Sequence, residues 1–177
     1  MFARDGYANS SVGAICKDAA LSSRQFYEEF SGRESLLLEL YEQIDEQSRD
    51  AVSAALAEHA DESAAEIVDA AVRAYVESIG RDPRKARIAL VEVVGAGPKV
   101  EKFRLELRRS WGELLAGAAK AAARHGEIPP GDYEMRVLAI IGAVNYVVDA
   151  WSGADPRPSL DDMSRLLRRV IIGAVSA

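Results

Sequence analysis

The residues able to do chemistry in this 177-residue sequence are few and unevenly placed. Cys16 is its one cysteine, and His59 and His125 are its two histidines. A lone cysteine forms no intrachain disulfide and supports no Cys-based zinc site. No Ser-His-Asp set, carboxylate dyad, phosphate loop or metal-ligand spacing stands out, so the sequence does not read as an enzyme, and it calls for no metal and no cofactor. The densest polar chemistry lies in Asp18–Leu37, DAALSSRQFYEEFSGRESLL. There Ser22, Ser23, Arg24, Gln25 and Tyr27 crowd one short helical stretch. Arg can donate two bonds to guanine and Gln can pair with adenine, while Ser, Tyr and a helix N-terminus can hold phosphates. The competing reading is an ordinary helical hairpin with its polar residues facing water.

Presenting such side chains takes two short helices with a tight connection. Val12, Ile15, Cys16 and Ala19 fall on one face of the first; Ala20-Leu21 is the connection, and Ser22 starts the second. Leu21, Phe26 and Phe30 are expected to point inward. The unit is a helix-turn-helix. Ser22-x-x-Gln25, Ser31-x-x-Glu34 and Ser63-x-x-Glu66 fit the capping box, and Ser159-x-x-Asp162 is a weaker version.

The rest of the chain reads as helix. Leu36, Leu37, Leu40, Tyr41 and Ile44 recur at helical spacing in a helix expected to run from Ser35 to about His59. Further helices are expected over about Ser63–Ile79, Arg84–Val94, Pro98–Arg124, Tyr133–Trp151 and Ser159–Val175. Gly80, Gly95-Ala96-Gly97 and the Pro129-Pro130-Gly131 turn divide them. No sustained period-two run marks a strand. The fold class is all-α. The net charge of −6 argues against a non-specific nucleic-acid coat but not against a local reading element. The N-terminus lacks the apolar core of a secretory signal, and the longest apolar run, Leu138–Trp151, is short for a membrane span and holds Asn145 and Asp149. A cytoplasmic protein with no membrane partner is expected.

The segment Phe2–Leu37 resembles the N-terminal domain of the tetracycline-repressor (TetR) family of transcription regulators. Phe2, Gly6, Tyr7, Ser10, Ser11, Val12, Ile15, Ala19, Ser22, Phe26, Tyr27, Phe30, Glu34 and Leu37 carry the match, over about a fifth of the chain. The resemblance implies a DNA-binding head over residues 1–34 and a helical ligand-binding and dimerisation domain over residues 35–177. It implies a homodimer on a palindromic double-stranded DNA operator, most often as a repressor, with release by a small-molecule effector. By matched position Ser11, Tyr27 and Arg33 would touch phosphates and Arg24 and Gln25 would face base edges, with Ser22 and Ser23 at the helix start.

Three features depart from the family pattern. Ala20 stands where glycine is usual, which costs about 1 kcal/mol if the residue is left-handed. Arg33 replaces the usual lysine. The full first helix and its basic residues do not precede Phe2, and residues 1–36 carry Arg4, Lys17, Arg24 and Arg33 against Asp5, Asp18, Glu28, Glu29 and Glu34, a net −1. A head without a basic surplus should bind DNA weakly. A start upstream of Met1 is the expectation, with Val12, Ile15 and Phe26 partly uncovered and the first thirty residues poorly ordered; the alternative is a helical dimeric module whose head no longer works.

For the effector, an apolar pocket with a few polar handles is expected on the middle helices, from Tyr75, Val91, Glu92, Phe103, Leu107, Trp111, Leu115, Asn145 and Tyr146. For each the favoured competing reading is ordinary core, and for Glu92 a pairing with a nearby arginine such as Arg104 or Arg108. The run Lys99, Lys102, Arg104, Arg108 and Arg109 alternates with Glu101 and Glu106 at helical intervals, which suits salt-bridged surface. A dimer contact is expected from the all-round apolar helix Tyr133–Trp151 and its successor, through Val137, Ile141, Val144, Val148, Trp151, Met163, Leu167 and Val170.

Overall fold

Nine α-helices follow one another in a computed structural model that describes residues 1–176, with no strand among the described residues. They are α1 (Phe2–Asp5), α2 (Val12–Asp18), α3 (Ser23–Glu29), α4 (Arg33–Glu58), α5 (Ala64–Gly80), α6 (Pro83–Arg87), α7 (Pro98–Arg124), α8 (Tyr133–Ser152) and α9 (Leu160–Ser176). Between α6 and α7 the chain widens into one π-helical turn, Ile88–Glu92, where a single α-helix over Arg84–Val94 was expected.

Local chemistry explains most helix starts. At α3, Gln25 Oε1 accepts from both the Ser22 N–H and the Ser22 hydroxyl at 2.9 Å, and the Gln25 N–H donates to Ser22 Oγ at 3.2 Å. Glu66 accepts the Ser63 N–H at 3.0 Å, so that box forms as well, while at Ser159 only half of one does, the Asp162 N–H donating to Ser159 Oγ at 3.1 Å. The Ser31-x-x-Glu34 box does not: α4 begins one residue later, and Ser35 Oγ accepts the Gly32 N–H at 3.2 Å. Pro83 and Pro98 each open a helix in its first turn, where a missing donor costs nothing.

Helices α4, α5, α8 and α9 enclose the main core. Ile44, Val72, Val76, Ile79, Val148, Trp151, Met163 and Leu167 are buried there, with Ala86 and Ala89 closing one end. The packing at that end closes tightly around a glycine. A Cβ on Gly80 would lie 2.5 Å from the Leu160 side chain and 3.5 Å from the Trp151 ring. A smaller cluster of Ile128, Tyr133, Ile140 and Val175 seals the far end of the bundle.

Helix α8 is long and apolar enough to cross a membrane by length and composition. Here it packs against α7 and α9 and buries Tyr133, Val137, Ile140, Val148 and Trp151. Five residues expected at a dimer contact therefore belong to this chain's own core: Val137, Val148, Trp151, Met163 and Leu167 are all buried. Ile141 and Val144 are half-buried, and Val170 alone of that group is exposed. The apolar side chains that α8 and α9 leave in the open are Met135, Leu138, Tyr146, Leu166 and Val170.

The head joins the body through a separate cluster in which Phe2, Leu37, Val93 and Val100 are buried and Tyr7, Ile15, Leu36 and Leu40 pack around them. Burying Phe2 and Leu37 stabilises this junction by about 2 kcal/mol each. Phe26 and Cys16 are buried in the head itself, while Val12 and Ile15 are half-covered and Leu21 is exposed rather than inward.

Candidate functional site

The helix-turn-helix is set by α2 and α3. Ser11 Oγ accepts the Ala14 N–H at 3.2 Å and fixes the start of α2. The turn passes through Ala20 at φ +54°, the one non-glycine residue with positive φ among those described. Leu21 N–H then donates to the Cys16 carbonyl at 2.9 Å, holding the two helices together at the turn. Phe26 anchors α3 from inside, its ring in contact with Tyr27 and Phe30 at centroid distances of 5.4 and 5.5 Å.

The outer face of α3 presents Ser23, Arg24 and Tyr27 to solvent. Arg24 Nε pairs with Glu28 Oε1 at 3.0 Å, yet its side chain is 89% exposed, so the pair exchanges readily for another acceptor. Tyr27 is 59% exposed. Two expected contact residues are otherwise engaged. The Gln25 amide oxygen is spent on the Ser22 cap, so bidentate pairing with adenine requires opening that cap. Arg33 Nη1 donates to the carbonyls of Tyr7, Ala8 and Ser10 at 3.0, 3.2 and 3.2 Å, and the guanidinium sits 4.6 Å from the Tyr7 ring centre. Arg33 thus ties the α1–α2 loop to α4. Arg4 is also occupied, lying 2.9 Å from Asp5 and 3.3 Å from Asp18.

Inside the bundle a cavity of about 330 Å³ opens between α4, α5, α7 and α8. Of the residues proposed from the sequence, Tyr75, Leu107, Trp111, Leu115, Asn145 and Tyr146 line it. Three expected residues do not. Glu92 pairs with Arg87 Nε at 2.8 Å and accepts the Tyr7 N–H at 2.6 Å, a partner choice that differs from the expected Arg104 or Arg108. Phe103 stacks edge-on against Tyr41 at 5.7 Å, and Val91 lies outside the lining.

Sequence reasoning passed over Tyr41, Asp45 and Ser48 on α4 and Arg104 and Arg108 on α7, all of which line the cavity. The signal was present: Tyr41, Asp45, Ser48 and Val52 fall at helical intervals on one face, as do Arg104, Leu107, Trp111 and Leu115. The charges of Asp45, Arg104 and Arg108 made those three read as surface. Asp45 is a fixed part of the wall. Its carboxylate accepts the Trp111 indole N–H at 2.7 Å and an Arg49 N–H at 2.8 Å, and Arg49 reaches on to Ser110. Burial pushes the Tyr41 hydroxyl up to about 12 and the Asp45 charge adds to it, with Arg104 and Arg108 acting the other way. The Tyr75 hydroxyl is raised further, again chiefly by burial. Both remain neutral donors across the physiological range.

Head and cavity share two elements. Helix α4 gives Leu37 to the head junction and Tyr41, Ile44 and Asp45 to the cavity. The π turn gives Ala89 and Leu90 to the cavity wall and Glu92 to the head.

Comparison with known proteins agrees with this arrangement. Residues 1–40 match the family model described as bacterial regulatory proteins, tetR family. No curated protein matches the chain by sequence. Among solved structures, a bacterial regulatory protein of the tetR family from Rhodococcus RHA1 superposes with a TM-score of 0.82 at 22% identity, over 99% of this chain and 91% of that one. The transcriptional regulator FadR from Bacillus subtilis, solved in complex with stearoyl-CoA, gives 0.81 at 19% identity, over 98% and 93%. The fatty acid degradation regulator FadR from Bacillus halodurans gives 0.82 at 18%, over 97% and 89%. Likeness at these identities is likeness of fold.

Proposed function

We infer that this chain, which has a tetR-family head and the fold of the TetR-family regulators, is a ligand-responsive transcriptional regulator. It binds a palindromic operator as a homodimer through α3 and lets go when a small molecule fills the cavity. The head spans residues 1–34 and the effector and dimer body residues 35–177.

The observation that carries this reading is the pair of elements shared between head and cavity. A ligand that settles more favourably against a displaced α4 and π turn than against the present one shifts the balance between two head positions, and so between two DNA affinities. The stearoyl-CoA complex of the Bacillus subtilis protein supports a small-molecule effector in a body of this shape. The uncovered apolar residues of α8 and α9 support a second copy as the partner on that face. A regulator of this kind works in the cytoplasm, as a repressor in the simplest case, and needs no catalytic residue.

A second reading keeps the body and removes the DNA step. It is favoured by the chemistry of the head: Arg4, Arg33 and Gln25 are held by internal partners, leaving Arg24 as the accessible base-reading cation. Selection from a random DNA library separates the two. Recovery of a palindrome that is weakened by Arg24→Ala or Tyr27→Phe supports the regulator. If no sequence rises above background even at low salt, the DNA-binding reading fails.

A further inference from the structure

Resting on the reading of the cavity as an effector site, we propose that its occupant is an apolar organic acid, a hydrocarbon body ending in a carboxylate held by Arg108, Arg104 and the Tyr41 hydroxyl.

The polar atoms of the cavity are not spread evenly. They gather where α4 faces α7, with Tyr41 and Asp45 on one helix and Arg104, Arg108 and Trp111 on the other. Away from this pole the lining is mostly hydrocarbon, including Val72, Ile79, Ala89, Ile140 and Leu167, with Tyr75 on α5 and Asn145, Tyr146 and Asp149 on α8 as its polar residues. A ligand that fills both parts is amphipathic, with a polar group at one end.

The sign of that group follows from which polar atoms are already satisfied. Asp45 has both carboxylate oxygens engaged, one by the Trp111 indole N–H and the other by Arg49. A cationic ligand would have to compete with those charge-assisted bonds. The donors are less committed. Arg104 gives one nitrogen to Glu101 at 2.7 Å, and Glu101 in turn accepts the Gly95 N–H at 2.9 Å. Arg108 makes no ion pair or side-chain hydrogen bond among the described residues, and neither does the Tyr75 hydroxyl. Arg104 and Arg108, four residues apart on α7, line the cavity together with Tyr41. The pole therefore offers donors in excess of acceptors. A guanidinium fork beside phenol hydroxyls matches a planar carboxylate, which takes several such bonds at once. Asp149 is the lining carboxylate without an ion pair among the described residues, and it stands on α8 rather than between α4 and α7. A cationic probe reads its influence directly.

The test is calorimetric titration of the purified chain, without DNA, by dodecanoate, dodecylamine and dodecanol, each below its micelle-forming concentration. Dodecanoate is expected to bind roughly tenfold tighter than either of the others. Arg108→Ala should remove that advantage by weakening dodecanoate far more than dodecanol, and Arg108→Lys should restore part of it. Equal or tighter binding of the amine overturns the proposal and moves the polar handle to Asp149. Equal loss for all three ligands in Arg108→Ala, or no binding of any of them, also overturns it. The DNA selection is independent. A palindrome recovered without acid binding removes only this proposal; acid binding without a recovered sequence removes only the regulator.

Discussion

Glu92 receives the Tyr7 backbone N–H at 2.6 Å, across 85 residues of sequence, while its second oxygen pairs with Arg87. The carboxylate is nearly buried, at 8% exposure, so both bonds form in a poorly solvated place. It is the polar link between the π turn that edges the cavity and the segment that leads into the helix-turn-helix. Glu92→Ala leaves the Tyr7 donor unpaired and should cost about 1–3 kcal/mol. Glu92→Gln keeps an acceptor for Tyr7 and should cost less. Urea denaturation measures the loss, and hydrogen exchange at the Tyr7 amide should accelerate in the alanine variant. An unchanged Tyr7 exchange rate would mean the link does not hold the head.

Ala20 gives a prediction of the opposite sign. Its side chain is exposed and its φ is +54°, so the methyl group gains nothing from packing and strains the backbone. Ala20→Gly should stabilise the protein by about 1 kcal/mol, the relief of the left-handed penalty outweighing glycine's entropy in the unfolded chain. A rise in thermal midpoint is the readout, and DNA selection should recover the same sequence with both proteins.

Arg33 occupies a position that family resemblance assigns to phosphate, yet one nitrogen of its guanidinium already serves three carbonyls. Arg33→Ala should therefore lower DNA affinity by loosening the loop between α1 and α2, with the salt dependence of binding unchanged. Loss of a phosphate contact would instead reduce the slope of log affinity against log salt by roughly 1 per head. Because a single nitrogen reaches all three carbonyls, the three-donor ammonium of Arg33→Lys should keep more of the parent's affinity than the alanine variant does.

These cases show where sequence was readable. Helices α4, α5, α7, α8 and α9 were legible because their apolar residues recur at helical intervals and Gly or Pro marks their ends. The π turn was not, since ALVEVV is apolar without a period, and the ion pair it creates joins residues five apart, Arg87 and Glu92, rather than the four an α-helix favours. The lining arginines were hidden for a different reason: Arg104 does pair with Glu101 and Arg108 is exposed, as salt-bridged surface would be, and both edge the cavity as well. On α8, Val137, Val148 and Trp151 were expected at a dimer contact and are buried instead, because that helix is apolar nearly all round. Periodicity cannot then say whether Val148 or Tyr146 turns inward; the packing of α9 decides it, burying Val148 completely and leaving Tyr146 75% exposed.

That corrected face carries the last prediction. On α8, Met135, Leu138, Gly142 and Tyr146 follow at intervals of three or four, and Leu166 and Val170 do so on α9. Uncovered apolar side chains on two adjacent helices are the material of an interface between copies, and self-contact of one patch suits a two-fold dimer on a palindrome. Leu138→Glu with Leu166→Glu sets like charges across that contact. The doubly substituted chain should run as a monomer in light scattering, keep its circular dichroism and thermal midpoint within a few degrees, and lose palindromic DNA binding. Val148→Ala, by contrast, empties core volume and should cost about 2 kcal/mol of stability without itself splitting the dimer. If the double variant remains dimeric, the two copies meet elsewhere and the exposed stripe has another partner.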